Sequence, residues 1–413
     1  MEAITPKFVE RKLNFVFVGL QRILTDREST ATSIAKELAK NHNVLYVNSP
    51  IDRRAYWFGS SDRFVNEHIL RIRQKTKPLE KVENGLWVLY PEKIIESINW
   101  IPNTWTFSRL NRINNSRLSK EIGSAVAEIG FDDYIIVNDK DIFRSFYLKE
   151  LLKPSQYIYL DRDYIVGMDY WKRHGSKLEP DLMRSSDVIL CNSYGFRNRA
   201  LAFNPASYYI GNGCDIGRFD YQKQYQIPGD LLPLVDRPVI GYVGALLEMR
   251  LDIPLLVFLA KSRPELNLVL VGSEDEAFRD SELHLLPNVH FLGKKDTELA
   301  PAYIQHFDVC INPQHINEIT NDNYPLKIDE YLAMGRPVVA TETNVMREIF
   351  SSVTYLAKDH VGFLEKITEA LGGGGRGDAE KARVAMAKSH SWQAVAERVL
   401  AIISPANKNN INN

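Results

Sequence analysis

Short runs of β-branched and aliphatic residues recur along the 413-residue chain, separated by stretches whose apolar residues fall at helical spacing. In the first half they are FVFVGL (15–20), NVLYVN (43–48), YIIVN (134–138), YIYL (157–160) and DVILCN (187–192). In the second half they are PVIGYVG (238–244), LVLV (268–271), VHFL (289–292), VCIN (309–312) and VVAT (338–341). Apolar runs without polar alternation suit strands buried on both faces, the condition of a parallel sheet covered by helices. Strand and helix in alternation give βαβ units, and so an α/β, doubly wound fold. A chain this long exceeds one core, so two such domains are expected. Ligands of these sheets lie beyond the carboxyl ends of the strands.

Composition narrows the class. Hydrophobic residues make up 45% and charged residues 25%, ordinary values for a soluble globular protein. A net charge of −1 gives no case for a nucleic-acid partner. Cys191, Cys214 and Cys310 are far apart and have no metal-ligand spacing, which fits a reducing compartment. The first residues lack the apolar core of a signal peptide, and no apolar run approaches the roughly 20 residues that span a bilayer. A cytoplasmic protein is expected. No zinc spacing, P-loop or Ser-His-Asp order is visible, and the absence of GxGxxG after the first strand argues against a dehydrogenase.

The most informative stretch is 321–341, NDNYPLKIDEYLAMGRPVVAT. Pro325 suits the first position of a helix because its missing N–H would be unpaired there anyway. Leu326, Ile328, Tyr331, Leu332 and Met334 recur at helical spacing, and Gly335 can end the helix in a left-handed conformation. The free N–H groups at the helix start form an anion site. Lys327 lies in that first turn, where a cation is unfavourable unless an anion accompanies it. A phosphate supplies one. Glu330, a turn further on, can accept from a ribose diol, and Asp322, before the helix, from a second set of hydroxyls. The bland alternative is an amphipathic helix with a solvated charged face.

This stretch resembles the signature of the retaining glycosyltransferases of family 4 (group 1), which have the GT-B fold. The family has an acidic residue, seven others, then Glu in a helix ending in a small-residue–Gly turn, followed by Pro-Val-Val-Ala. Here Asp322 stands where Glu is usual, and Tyr324 where Gly is common. The PLK…EYLAMG wording is similar to a subgroup of bacterial surface-polysaccharide and teichuronic-acid-type enzymes. Residues 157–219 also resemble the family: a strand followed by Asp161-Arg162-Asp163, then DVILCNS, then Asn212-Gly213-Cys214-Asp215. The resemblance implies a GT-B architecture with an acceptor domain (1–213), a donor domain (214–388), a crossover helix packing back on the first domain (389–404) and a disordered tail (405–413).

It also implies a function: transfer of a sugar from a nucleoside-diphosphate sugar to a saccharide or lipid-linked acceptor, retaining, without a cofactor or metal. Glu330 would hold the ribose and Asp322 the sugar. Pro325, Leu326, Lys327 and Arg250 would hold the diphosphate. Gly244, Gly272 and Gly293, at strand ends, would admit the nucleotide to backbone. The family usually has Arg directly after the first of these glycines; this chain has Ala245. In retaining members the leaving phosphate can take the acceptor proton. If a side chain assists, Asp163 or Asp161 is the candidate, with Asp26 second. On the acceptor side, Gly19 and Asp26 follow the first strand.

Two segments break the strand–helix rhythm. Residues 52–81 carry eight Arg or Lys against four acids, beside Tyr56, Trp57 and Phe58. Residues 100–120 carry Trp105, Phe107, Arg109, Arg112, Arg117 and Lys120. Aromatic and basic residues together suit an anionic membrane surface or a pyrophosphate-linked lipid acceptor. Two other functions remain open: a GT-B nucleotide-sugar 2-epimerase, and a non-catalytic sugar-nucleotide or polysaccharide-binding subunit, which the departure at Ala245 keeps in play.

Overall fold

The computed structural model describes residues 12–25, 28–373 and 377–404. Asp26 and the tail 405–413 lie outside the described residues. The chain divides into two compact units. The first comprises residues 1–161, 168–190 and 200–208; the second comprises 162–167, 191–199 and 209–413.

The first unit is built on β1 (Asn14–Gly19), α1 (Thr30–Ala39), β2 (Asn43–Val47), α2 (Arg53–Phe58), α3 (Arg63–Gln74), β3 (Leu79–Glu83), β4 (Leu86–Leu89), α4 (Thr104–Ile129), β5 (Ile135–Asp139), α5 (Leu148–Leu152), β6 (Gln156–Asp161) and α6 (Asp169–Ser185). β7 (Val188–Cys191), α7 (Tyr194–Leu201) and β8 (Ser207–Tyr209) complete its sheet and lead into the second unit. Among the described residues the strand order is β3-β4-β2-β1-β5-β6-β7-β8. The pairings of β1, β2, β5 and β6 are parallel, and only the β3–β4 hairpin is recorded as antiparallel. Phe15, Val16 and Phe17 of the central strand have no exposure, as the unbroken apolar runs require.

Caps set the helix limits. Ser29 accepts from Thr32 N while the Thr32 hydroxyl accepts from Ser29 N, a reciprocal cap that starts α1. Asn103 accepts from Thr106 N to open α4, and Gly130 at φ +84° closes it. Residues 52–81, expected to break the rhythm, form two capped helices instead. Asp52 and Asp62 accept from Ala55 N and Phe64 N. Their polar composition hides them, since α3 buries only His68 and Ile69. α6 runs unbroken from Asp169 to Ser185. Gly175 and Pro180 interrupt the pattern, but His174 stacks on Phe107 with ring centroids 4.0 Å apart, and Leu178 and Leu182 are buried on the same face. Tertiary packing overrides local propensity there. In contrast, the segment between β5 and β6 is mostly turns and is regular only in α5.

One surface cluster gives a pH-dependent result. Glu96 accepts from Arg53 Nε at 2.7 Å and Nη2 at 2.6 Å, and from Arg117 Nη1 at 2.8 Å. The Arg53 and Arg117 hydrogen bonds hold its carboxyl down at about 2, against an ordinary 4.5. A depressed carboxyl adds stability that is complete above the unfolded pKa and lost as pH falls through the folded one. Between about pH 4.5 and 2, Glu96→Gln is therefore expected to lose less stability than the parent in urea melts. Equal losses would remove Glu96 from the acid-sensitive set.

The second unit carries β9 (Val239–Val243), α8 (Ile253–Ser262), β10 (Asn267–Val271), α9 (Glu276–Arg279), β11 (Val289–Phe291), α10 (Ala300–Gln305), β12 (Val309–Asn312), α11 (Leu326–Ala333), β13 (Val338–Thr341), β14 (Tyr355–Ala357), α12 (His360–Gly372), α13 (Asp378–Ser389) and α14 (Trp392–Ile403). Its described strands form one parallel sheet, β11-β10-β9-β12-β13-β14. Two apolar clusters fill the space on either side, one around Phe307, Tyr331 and Phe350, the other around Leu256, Leu270 and Ile311. Gly241, inside β9, leaves room for the Phe307 ring, which a Cβ would overlap. α14 is capped by Ser391 and tied to the 210–214 segment: Arg398 Nε donates to Ile210 O at 2.7 Å, and Cys214 bridges Ser391.

Candidate functional site at the strand ends of the second unit

α11 follows the loop after β12, at the carboxyl edge of its sheet. Pro325, expected as the first helical residue, is the cap instead, with φ −85° and ψ 93°. Its carbonyl accepts from Ile328 N at 3.0 Å. The first helical residues are therefore Leu326 and Lys327, whose N–H groups are among the unpaired donors of a helix start. The far end is as expected: Gly335 at φ +70°, with Arg336 N donating to Tyr331 O at 3.0 Å. Arg383 Nε adds a bond to Gly335 O at 2.9 Å. The buried Tyr331 hydroxyl accepts from Val243 N at 2.9 Å and so pins α11 to the end of β9.

β9 ends in Gly244, at φ +147°, where a Cβ would come 3.1 Å from Lys327 Cε. The Lys327 ammonium lies 4.7 Å from the Tyr242 ring centroid. Gly272, after β10, lies so close to Gly244 that a Cβ would overlap the Gly244 carbonyl oxygen. Backbone meets backbone here, and a side chain at Gly272 would push the two loops apart. Gly293, after the neighbouring β11, has φ +70° and open space around it. Its need for glycine is conformational.

Arg250 sits in the turn after β9. Its carbonyl accepts from His315 N at 3.0 Å, tying that turn to the loop after β12. Arg250 Nε is buried without a hydrogen-bond partner. Among the described residues, neither Arg250 nor Lys327 has a carboxylate partner. Two cations with no carboxylate partner among the described residues, one after a strand end and one in the first turn of a helix, can meet an anion. Glu330, half-buried, is three residues beyond Lys327 on the same helix. Asn312, the last residue of β12, is buried with its Oδ1 unpartnered.

The loop before α11 gathers the other candidates. Asp322 Oδ1 accepts from Asn344 Nδ2 at 2.9 Å, and Asn321 Oδ1 accepts from Asn344 N at 2.9 Å. The Asp322 carboxylate lies against Gly195, where a Cβ would overlap it. With its amide turned to face acceptors, Asn323 donates to Asp163 Oδ1 at 2.9 Å and Arg162 O at 3.3 Å. Arg162 Nη1 donates to Asp163 Oδ2 at 2.6 Å. Asp163, part-exposed, thus joins the loop that carries Asp322.

Asp161 does not join them, contrary to the expectation that it faces substrate. It has no exposure, and its carboxylate pairs with the equally buried Lys140. A carboxylate so enclosed has no path to an acceptor proton. Gly19 ends β1 beneath Tyr46, whose ring a Cβ at Gly19 would overlap.

Sequence reasoning missed three partners. Gly195 makes room for Asp322. Asn344 holds Asp322 in place. The third is a buried cluster inside the signature: Tyr324 donates to Asp329 Oδ2 at 2.7 Å, and His390 Nδ1 lies 2.8 Å from Asp329 Oδ1. Burial pushes the Asp329 carboxyl up, and its bonds to His390 and Tyr324 oppose that shift. The sequence signal for this cluster was Tyr324 itself, already noted as a departure from the pattern the chain resembles.

Residues 237–372 match the profile of the family described as Glycosyl transferases group 1. A Bacillus subtilis (strain 168) protein named as the teichuronic acid biosynthesis glycosyltransferase TuaH is 25% identical over 231 residues, 53% of this chain and 57% of that protein. The chain thus matches little more than half the length of that relative. Sucrose-phosphate synthase from Thermosynechococcus elongatus superposes with a TM-score of 0.65 at 16% identity, over 94% of this chain and 97% of that one. Anabaena HepE, solved with UDP and glucose, gives 0.62 at 14% identity, over 94% and 98%. The trehalose 6-phosphate synthase of Burkholderia multivorans gives 0.66 at 12% identity, over 97% and 99%. The fold class is therefore GT-B. Residues 237–372, with the signature helix, Lys327 and Arg250 inside them, match a group 1 glycosyl transferase domain.

Proposed function

We propose that the chain transfers a sugar from a nucleoside-diphosphate sugar to a saccharide or lipid-linked acceptor in surface-polysaccharide assembly. The observation that carries the reading is a pair of cations, Lys327 in the first turn of α11 and Arg250 in the turn after β9, neither with a carboxylate partner among the described residues. HepE, solved with UDP and glucose, and TuaH, named for teichuronic acid biosynthesis, support the substrate class.

In this reading Glu330 accepts from the ribose hydroxyls and Asp322 from the sugar. The bond between the anomeric carbon and the diphosphate oxygen breaks, and a bond to the acceptor oxygen forms. The acceptor proton passes to the departing diphosphate, with retention of configuration. Lys327, Arg250 and the helix-start amides meet the charge that develops on the leaving group. Neither a metal ion nor a cofactor has a part in it. Asp163, held by Arg162 and Asn323, orients the acceptor hydroxyl.

The first unit takes the acceptor. A groove on α4 lined by Lys93, Arg109, Arg112, Arg117 and Lys120 has no acidic lining residue, and Trp100 and Trp105 stand exposed nearby. Cations near an anionic leaflet contribute about 1 kcal/mol each, so this face suits the cytoplasmic surface of a membrane. Among the described residues no helix is long and apolar enough to cross one.

A thermal-shift panel of nucleoside diphosphates and their sugars tests the reading. One nucleotide is expected to raise the melting temperature of the parent chain and leave Glu330→Ala unmoved. A ligand at one hundred times its Kd adds about 2.7 kcal/mol. Binding without transfer or hydrolysis would favour the non-catalytic subunit that Ala245 suggests. A new sugar nucleotide formed without acceptor would identify an epimerase.

A further inference from the structure

The loop after β1 holds a guanidinium with no carboxylate partner among the described residues. Arg22 Nη1 lies 2.8 Å from His68 Nδ1, and His68 Nε2 lies 2.9 Å from Pro91 O. A carbonyl only accepts, so Nε2 carries the ring proton and Nδ1 accepts from Arg22. The ring is neutral: burial, and Arg22 after it, push its pKa down to about 3. Arg22 is thus oriented by a group that brings no negative charge. Among the described residues it has no carboxylate partner. Burial, and after it Arg144, lower the guanidinium to about 10, against opposing effects of Asp62 and Tyr90.

The setting is rigid. Tyr46 OH donates to Gln21 O at 2.8 Å, and Ser49 Oγ to Gly19 O at 2.9 Å. Ile23 N donates to Asn48 Oδ1 at 3.0 Å. β1 and β5 are neighbours, with Gly19 in register with Asp139, so the segments that follow them leave the sheet side by side. Arg22 lies on one and Arg144 on the other. Arg144 has Asp141 as its partner at 2.6 Å, while Arg22 has no such pair among the described residues. A part-buried, uncompensated arginine costs stability, and a preorganised one is a binding group.

We infer that Arg22, backed by Arg144, is an anion subsite of the first unit, and that the acceptor carries a phosphate or diphosphate beside the hydroxyl to be glycosylated. Arginine's planar fork matches phosphate bidentately, and β1 and β5 bring it to the carboxyl edge of the sheet, where such folds bind ligands. Only the word acceptor rests on the transferase reading. The subsite does not.

The test is calorimetric titration of the full chain with inorganic pyrophosphate, first establishing UDP binding and then holding UDP at saturation to fill the other anion site. Saturable binding that falls at least tenfold in Arg22→Gln is expected, with Arg22→Lys between. Absent binding, or equal binding in Arg22→Gln, overturns the subsite. If none of the nucleoside diphosphates in the panel binds, the transferase reading falls, while the pyrophosphate titration still reports on Arg22. The melting temperature separates binding from folding: Arg22→Gln removes a desolvated charge and is expected to melt no lower than the parent. A clear drop would assign Arg22 to the fold and overturn the inference. Soluble glycosyl phosphate and a prenyl-diphosphate sugar in micelles distinguish the two sources; tighter binding of either over the same sugar without phosphate supports the subsite. No preference over that sugar overturns it.

Discussion

Replacing Lys140 by Ala is expected to cost about 3–5 kcal/mol of stability, several times what an exposed ion pair is worth. Lys140 and Asp161 have no exposed side-chain surface, and Glu179 only 5%. The ammonium bonds both carboxylates, at 2.6 Å to Glu179, and Tyr159 OH donates to the same Glu179 oxygen at 2.8 Å. Removing the cation leaves two acids facing each other in a medium that solvates neither. The loss comes from stranding them, not from the worth of the ion pairs, whose Coulomb gain is largely offset by desolvation. The triple variant Lys140→Met, Asp161→Asn, Glu179→Gln, which removes every charge and keeps most of the volume, is therefore expected to recover most of the loss. Urea melts of the two variants decide it. At roughly 2–4 °C per kcal/mol for a unit of this size, the single variant should melt about 6–20 °C lower. A loss under about 1 kcal/mol, or a triple variant no better than the single, would show that packing rather than charge governs the site.

That cluster also marks where sequence reading stops. The strands were legible because β-branched runs bounded by turn residues are local signals: β12 and β13 fall at the expected residues. The signature helix was legible for the same reason, since cap, apolar spacing and closing glycine lie within one short segment. The Asp-Arg-Asp motif was not. Asp161 and Asp163 look alike in sequence, and which one stays open depends on Lys140 and Glu179, which arrive from the end of β5 and from α6. Arg22 was invisible likewise: an arginine in a polar loop is ordinary until its close partner proves to be a neutral histidine 46 residues away. Tyr324 was noticed as a departure, but its purpose needed His390, 66 residues on. Local patterns gave the fold and the signature helix. Charge compensation is a property of the packed chain.

Lys327→Ala is expected to lower turnover about 10²–10³-fold while leaving the fold intact. The two halves of that expectation come from opposite terms. For stability, the ammonium's contact with the Tyr242 ring is worth about 0.5–1 kcal/mol, and its place in the first turn of a helix costs about 0.3–1 kcal/mol without a bound anion. These nearly cancel, so the melting temperature should move little. For catalysis nothing cancels. As the bond to the sugar breaks, negative charge grows on the diphosphate, and a preformed cation stabilises that charge more than the intact donor. Such an interaction appears in kcat rather than in KM. Arg250 shares the same anion, so the double variant should lose less than the product of the single losses. Lys327→Arg keeps the charge and should retain part of the rate. Steady-state transfer or donor hydrolysis, measured beside the melt, decides the matter. A variant that keeps its fold and turns over within about threefold of the parent would remove Lys327 from the leaving-group role and leave Arg250 and the helix start to fill it.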